Sequence, residues 1–296
     1  MYNKGWIGAF SILFLLVGCT DEKTKNTSDD YQKTDNISVS NLDLSNEKEK
    51  TIAEGSRLMT ETNVALPKNV GNKLSCTSCH AGAGTGDALT LVGVSNTFPQ
   101  YRDREGRKVT LEERVNGCFE RSMNGTPLKE NSKEMKAIIA YLDYISPKTK
   151  EEKVKRADGV KNIPVPDIKR GEAAFKRENC MNCHGNSSDS APVAGPALWG
   201  DGSFNDGAGL SRFSKMYDFI YHYMPFDNPG SLTDQEASDI AAYVLSNDRP
   251  KFVDKQNRTF YPHGGKPDDK ISEKERELIK KGIYKWDKLE SVGSKS

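Results

Sequence analysis

Two pentapeptides, CTSCH at residues 76 to 80 and CMNCH at 180 to 184, place two thiols and an imidazole at the same spacing twice. Cys-x-x-Cys-His is the attachment pattern of a c-type haem. The thiols of Cys76 and Cys79, and of Cys180 and Cys183, add to the two haem vinyl groups, and the adjacent His80 or His184 reaches the iron as proximal ligand. A Cys-x-x-Cys pair alone also fits a redox disulfide or half a zinc site. Doubled in a chain with an export signal, the motif predicts two haem c groups with their iron, one per pentapeptide.

Of the six cysteines, Cys118 has no such obvious assignment. It lies 38 residues after His80, in TLEERVNGCFERS, where Thr110 and Glu113 stand in capping-box register and predict a helix. On that helix Arg114, Cys118 and Arg121 fall within about 60 degrees of one another, flanked by Leu111, Val115 and Phe119. The thiol therefore sits where an apolar face meets two guanidinium groups. A buried free cysteine acting as a small hydrophobe is the plain alternative. A lone thiol in an exported chain is nevertheless a liability unless protected or used, and neighbouring cations favour its thiolate. A functional thiol is the stronger expectation.

The elements that must position these residues occur twice. Cys76 precedes Tyr141 of IIAYLDYIS by 65 residues, and Cys180 precedes Tyr243 of IAAYVLSND by 63, so the order of parts repeats at an offset of about 100 residues. Met135, Ile138, Ile139, Leu142 and Ile145 form a helical stripe behind a cap at Ser132. Thr233 and Glu236 open its twin, which buries Ala237, Ile240, Ala241, Val244 and Leu245. Each haem motif is thus followed by an amphipathic helix that closes its unit.

Around these units the chain is polar. Lys4 precedes an apolar run from Trp6 to Val17 that is too short to span a bilayer, and LVGC ends at Cys19. The ending resembles a bacterial lipoprotein signal, in which Cys19 is lipidated. The expected location is the periplasm or the outer cell surface, with a lipid anchor in a membrane. Residues 20–46 have little apolar content and read as a flexible tether; residues 148–169 are charged, then punctuated by proline, and read as a linker. Beyond Pro250, residues 251–296 form a basic and polar extension with one helix capped at Ser272 and Glu275, suited to packing across the units. A formal net charge of +1 supplies no global field for nucleic acid, so an anion site must be built locally.

The doubled motif and GPALWG (195 to 200) resemble class I cytochromes c. The resemblance implies a mainly α fold of two such domains in tandem, residues 47–147 and 170–250, each wrapped around one covalent haem. It also implies that the Pro196 carbonyl accepts a hydrogen bond from His184. In such cytochromes the distal methionine sits in an MP pair, here Met224 and Pro225, 40 residues after His184. Met216, Lys215 and His222 are rivals for that position. The first half has no MP pair before its closing helix.

YRDREGRKVTLEERVNGCFERSMNG (101 to 125), EMKAIIAYLDYIS (134 to 146), LWGDGSFNDGAGLSRF (198 to 213) and the MP segment are similar to the dihaem thiosulfate dehydrogenases, relatives of the haem subunit of the Sox sulfur-oxidation system. The resemblance spans about residue 50 to 247. It implies an oxidoreductase that couples two thiosulfate ions to tetrathionate, or runs the reverse reduction, with electrons leaving through haem 1 and then haem 2 to another c-type cytochrome. His80 and Cys118 would ligate haem 1, Arg104 and Arg114 would hold the anion, and His184 and Met224 would ligate haem 2. Some members exchange a lysine with the second methionine; here Tyr223 occupies that position, and Lys215 beside Met216 keeps a weaker version open. A dihaem electron shuttle, and a Sox-like subunit that needs a partner, are the alternatives.

Overall fold

A computed structural model of the protein describes residues 38–147, 162–185, 195–264 and 269–293. In chain order these form α1 (Glu47–Thr60), α2 (Thr62–Ala65), β1 (Gln100–Arg102), β2 (Arg107–Val109), α3 (Leu111–Glu120), α4 (Lys133–Tyr144), α5 (Ile168–Arg177), α6 (Met181–His184), α7 (Phe213–Tyr223), α8 (Asp234–Ser246) and α9 (Glu273–Lys280). The strands make one antiparallel hairpin, with Tyr101 opposite Lys108; the rest is helix, turn and loop. Among the described residues no helix is long and apolar enough to cross a membrane.

Each half is built on a helix crossing at a glycine. In the first, α1 packs on α4; in the second, α5 packs on α8. A side chain at Gly55 would strike the Ala137 carbonyl and Tyr141, and one at Gly171 the Asp239 carbonyl and Tyr243. Backbones approach this closely only where no Cβ intervenes. Tyr141 and Tyr243, which mark the repeat in the sequence, are therefore the residues that meet the partner helix.

The closing helices form for the reasons their sequences give. Ser132 accepts from the Met135 N–H at 3.1 Å, and Met135, Ile138, Leu142 and Ile145 are buried. Ile139 lies at the margin of that face and is only partly covered. In α8 the Thr233 and Glu236 capping box is complete, and Ala237, Ile240, Ala241, Val244 and Leu245 are all in the core. The Thr110 and Glu113 box likewise starts α3, and the Ser272 and Glu275 box starts α9.

Folded structure extends beyond what composition suggests at two places. Residues 38–46, polar enough to read as tether, rest on the first half: Val39 and Leu42 pack on the core, and the Tyr144 hydroxyl donates to the Ser38 carbonyl at 3.2 Å. Residues 162–169, read as linker, begin the second half. Ile163 is buried and donates its N–H to the Ser291 carbonyl at 2.9 Å. In both cases one or two isolated apolar residues find a partner distant in sequence, which periodicity does not register. Residues 1–37, including Cys19, and 148–161 lie outside the described residues.

The halves are joined through polar groups. Asn205, from the second, is fully buried and donates to the Glu120 carbonyl at 2.9 Å and to Asn124 Oδ1 at 3.1 Å. From the first, Asn72 Nδ2 donates to the Ser203 carbonyl at 2.9 Å. The extension touches both: Ile271, Trp286, Leu289 and Val292 are buried within the core, while Arg258 pairs with Glu120 of α3 at 2.9 Å.

Candidate functional site

The two haem motifs are shaped alike around their histidines. Cys76 opens a short 3₁₀ turn, Cys76–Ser78, and Cys180 stands at the start of α6. His80 Nδ1 bonds the Leu89 carbonyl at 2.6 Å, and His184 Nδ1 bonds the Pro196 carbonyl at 2.7 Å. With Nδ1 as donor, each imidazole keeps the Nε2 lone pair for a metal, the tautomer and orientation a haem iron needs. The Pro196 bond is the one expected from GPALWG. Its counterpart at Leu89 has no proline to announce it; Leu89 takes a left-handed backbone, φ 45°, and this turn directs its carbonyl at His80.

Three of the four motif thiols are desolvated by burial. Burial is the main cause that pushes Cys76 and Cys79 up to about 12 and Cys180 up to about 11. A haem thioether carries no charge and suits such surroundings. Among the described residues no group of three or more His, Cys, Asp or Glu could hold a metal ion.

Cys118 lies in the last turns of α3. Arg114, one turn earlier, donates from Nη1 to its sulfur at 2.8 Å. Cys118 also interacts electrostatically with Cys76 and Cys79, so the fold brings this thiol to the first haem motif across 38 residues of chain after His80. The Cys118 charge is the leading cause that holds the Arg114 guanidinium above its ordinary value.

Beside this pair opens a cavity of about 260 Å³ lined by Arg102, Arg104, Arg114, Arg121 and Arg212, with Tyr101 and Tyr261 and the carboxylates Asp103, Glu105 and Glu113 also in its walls. Arg104 comes from the hairpin turn, Arg114 from α3, Arg121 from its end and Arg212 from the second half. Gly117 leaves the space that the Arg121 guanidinium fills. Burial first, then the charges of Arg104 and Arg114, push Arg121 down to about 10; burial also lowers Arg104. Glu105 partly offsets Arg104, Arg114 and Arg121, while Glu113 is held by Arg107 and by the Thr110 N–H at 2.9 Å. Crowded, partly desolvated guanidinium groups are a site for an oxyanion.

In the second half α7 ends at Tyr223, and Met224 is extended, as a residue before proline tends to be. Met224 packs against the core from its edge. Met216 is buried on α7, Lys215 is half-buried, and His222 faces Asp218 at 3.5 Å. Arg212 and Tyr261 are the site groups that the sequence did not single out. Arg212 sat within the quoted LSRF stretch without a motif of its own, and nothing local marks Tyr261.

The cytochrome c domain model of the SoxA/TsdA family matches residues 67–150, and that of cbb3-type cytochrome c oxidase subunit III matches residues 166–244. A thiosulfate dehydrogenase of Psychrobacter arcticus is 38% identical over 227 residues, 74% of this chain and 68% of that protein. One from Allochromatium vinosum is 38% identical over 216 residues, 69% of this chain and 80% of the relative. This chain belongs to the thiosulfate dehydrogenase family. It is a tandem of two class I cytochrome c domains carrying two covalent haem c groups. A solved thiosulfate dehydrogenase, the TsdBA protein of Marichromatium purpuratum in its "as isolated" form, superposes with a TM-score of 0.62 at 29% identity, over 71% of this chain. This chain spans about half the length of that one, 48%.

Proposed function

We propose that this protein is a dihaem thiosulfate dehydrogenase that joins two thiosulfate ions through their outer sulfurs to give tetrathionate. The observation that carries this reading is Cys118: its sulfur is held by Arg114 at 2.8 Å, next to the first haem motif and beside a cavity whose lining includes five arginines.

The residues divide the work by their chemistry. Arg104 and Arg114 neutralise and orient the sulfonate end of thiosulfate, which a near-neutral global charge cannot attract. The Cys118 thiolate forms a sulfur–sulfur bond with the outer sulfur of one thiosulfate, and two electrons leave. A second thiosulfate attacks that sulfur, tetrathionate departs and the thiolate is restored, as in thiol–disulfide exchange. Charge balances in both steps. His80 and Cys118 would hold the iron of the first haem, and His184 and Met224 that of the second. Bound haem takes up and passes on single electrons, so a pair matches the two released. Another c-type cytochrome is the proposed acceptor, and the tetrathionate reduction uses the same groups in reverse.

We place the protein outside the cytoplasm, in the periplasm or at the outer surface, tethered to a membrane by lipidated Cys19. The signal-like residues 1–19 support this placement.

The test is tetrathionate formation by the purified holoprotein with an artificial electron acceptor, beside a Cys118→Ala variant that loads both haems. Activity in the parent and its loss in the variant are expected, with the second haem's spectrum unchanged. Equal turnover in both would remove Cys118 from the mechanism. An inactive parent, in either direction, would favour an electron shuttle.

A further inference from the structure

The extension after the second half returns to the first and finishes its cavity. Arg258 grips Glu120 with two bonds of 2.9 and 2.9 Å, and Gln256 Nε2 donates to the same carboxylate at 3.2 Å. Two turns then interlock: the Tyr261 N–H donates to the Arg104 carbonyl at 2.7 Å, and Pro262 covers Gly106, where a Cβ would collide with it. Tyr261 itself adopts φ 55°, a conformation that disfavours side chains other than glycine. That turn carries the phenol into the cavity wall. Its ring lies beneath Arg104 at 5.6 Å, and its hydroxyl accepts from Arg212 Nη2 at 3.0 Å.

A phenol that accepts from a cation retains its own proton for donation. Donation is what an oxyanion in this cavity needs, and a hydroxyl supplies it without adding positive charge beside Arg121, which burial and then Arg104 and Arg114 already depress. We propose that Tyr261 is a substrate-binding residue whose hydroxyl donates to a sulfonate oxygen of thiosulfate or tetrathionate held by Arg104 and Arg212. The inference rests on the proposed function and deepens it: the anion site is assembled from the first half, the second half and the extension, and is incomplete without the last.

The experiment compares the full-length holoprotein with Tyr261→Phe, which keeps the ring and removes the hydroxyl, both the proposed donor and the acceptor of Arg212 Nη2. The KM for thiosulfate should rise about tenfold with kcat within about twofold, because a hydrogen bond to a charged group is lost from binding. The dissociation constant of tetrathionate, read by calorimetry in Cys118→Ala with and without Tyr261→Phe, should rise by about the same factor and does not depend on turnover. Unchanged KM and unchanged affinity, in a parent that makes tetrathionate, would overturn the inference and leave the activity standing. A fall in kcat with KM unmoved would overturn it too. A parent that neither makes nor binds tetrathionate would overturn the proposed function and the inference with it.

Discussion

Arg114, in the first half of α3, and Arg121, at its C-terminal cap, stand in opposite electrostatic conditions. Arg114 has the Cys118 sulfur against it at 2.8 Å, and that interaction is the leading cause that holds it above its ordinary value; Arg121 is held below, first by burial and then by Arg104 and Arg114. The first orients a nucleophile, and the second strengthens the field that an incoming dianion meets. Removing the first is therefore the sharper loss. Arg114→Gln, with both haems loaded, should lower kcat/KM for thiosulfate by about ten- to hundredfold, as expected when a charge-assisted hydrogen bond disappears. Steady-state tetrathionate assays check this, and a change under about twofold would make Arg114 a structural cation only. The position of Arg114 relative to Cys118 was legible from the helical spacing of the sequence, since four residues make about one turn.

At the scale of elements, two glycine crossings hold the helices that close each half. At Gly55 the intruding Cβ would meet backbone, the Ala137 carbonyl, which cannot rotate aside. Gly55→Ala should cost about 1–3 kcal/mol, the range for overpacking a tight contact. Gly209, whose added Cβ would meet nothing within 4 Å, is the control, and Gly209→Ala should stay within about 0.5 kcal/mol. Denaturant midpoints of the holoproteins measure both. The capping boxes of α3, α8 and α9 and the buried stripes of α4 and α8 were readable because each is set by residues three or four apart. The β1–β2 hairpin was not: strands of three residues are too short for an alternating pattern to stand out. Yet its turn is what delivers Arg104.

For the molecule as a whole, the junction of the halves depends on Asn205. Its side-chain amide bridges Glu120 and Asn124 of the first half, and its carbonyl oxygen accepts from the Gly207 N–H at 3.0 Å. Asn205→Ala leaves several buried groups without partners, so global stability should fall by about 2 kcal/mol while both haems stay attached. Equilibrium unfolding followed at the haem absorbance and by far-ultraviolet circular dichroism tests this; an unchanged midpoint would mean that the other contacts, Asn72 with Ser203 and the extension, suffice to hold the halves. The same junction sets Arg212 opposite Arg104, and the extension adds Tyr261.

What the sequence determined by itself is local. Covalent haem attachment follows from five adjacent residues, the closing helices from period and caps, and the Arg114 and Cys118 pair from one turn of α3. The tandem repeat is legible because its spacing, 65 and 63 residues from motif to tyrosine, is itself linear. Only the tertiary structure decided how far the folded part extends into residues 38–46 and 162–169, that the Leu89 carbonyl serves His80, and that Arg212 and Tyr261 join Arg104 at one cavity. Those facts depend on single polar or apolar residues meeting partners far away in the chain. Such meetings have no period, and sequence spacing carries no trace of them.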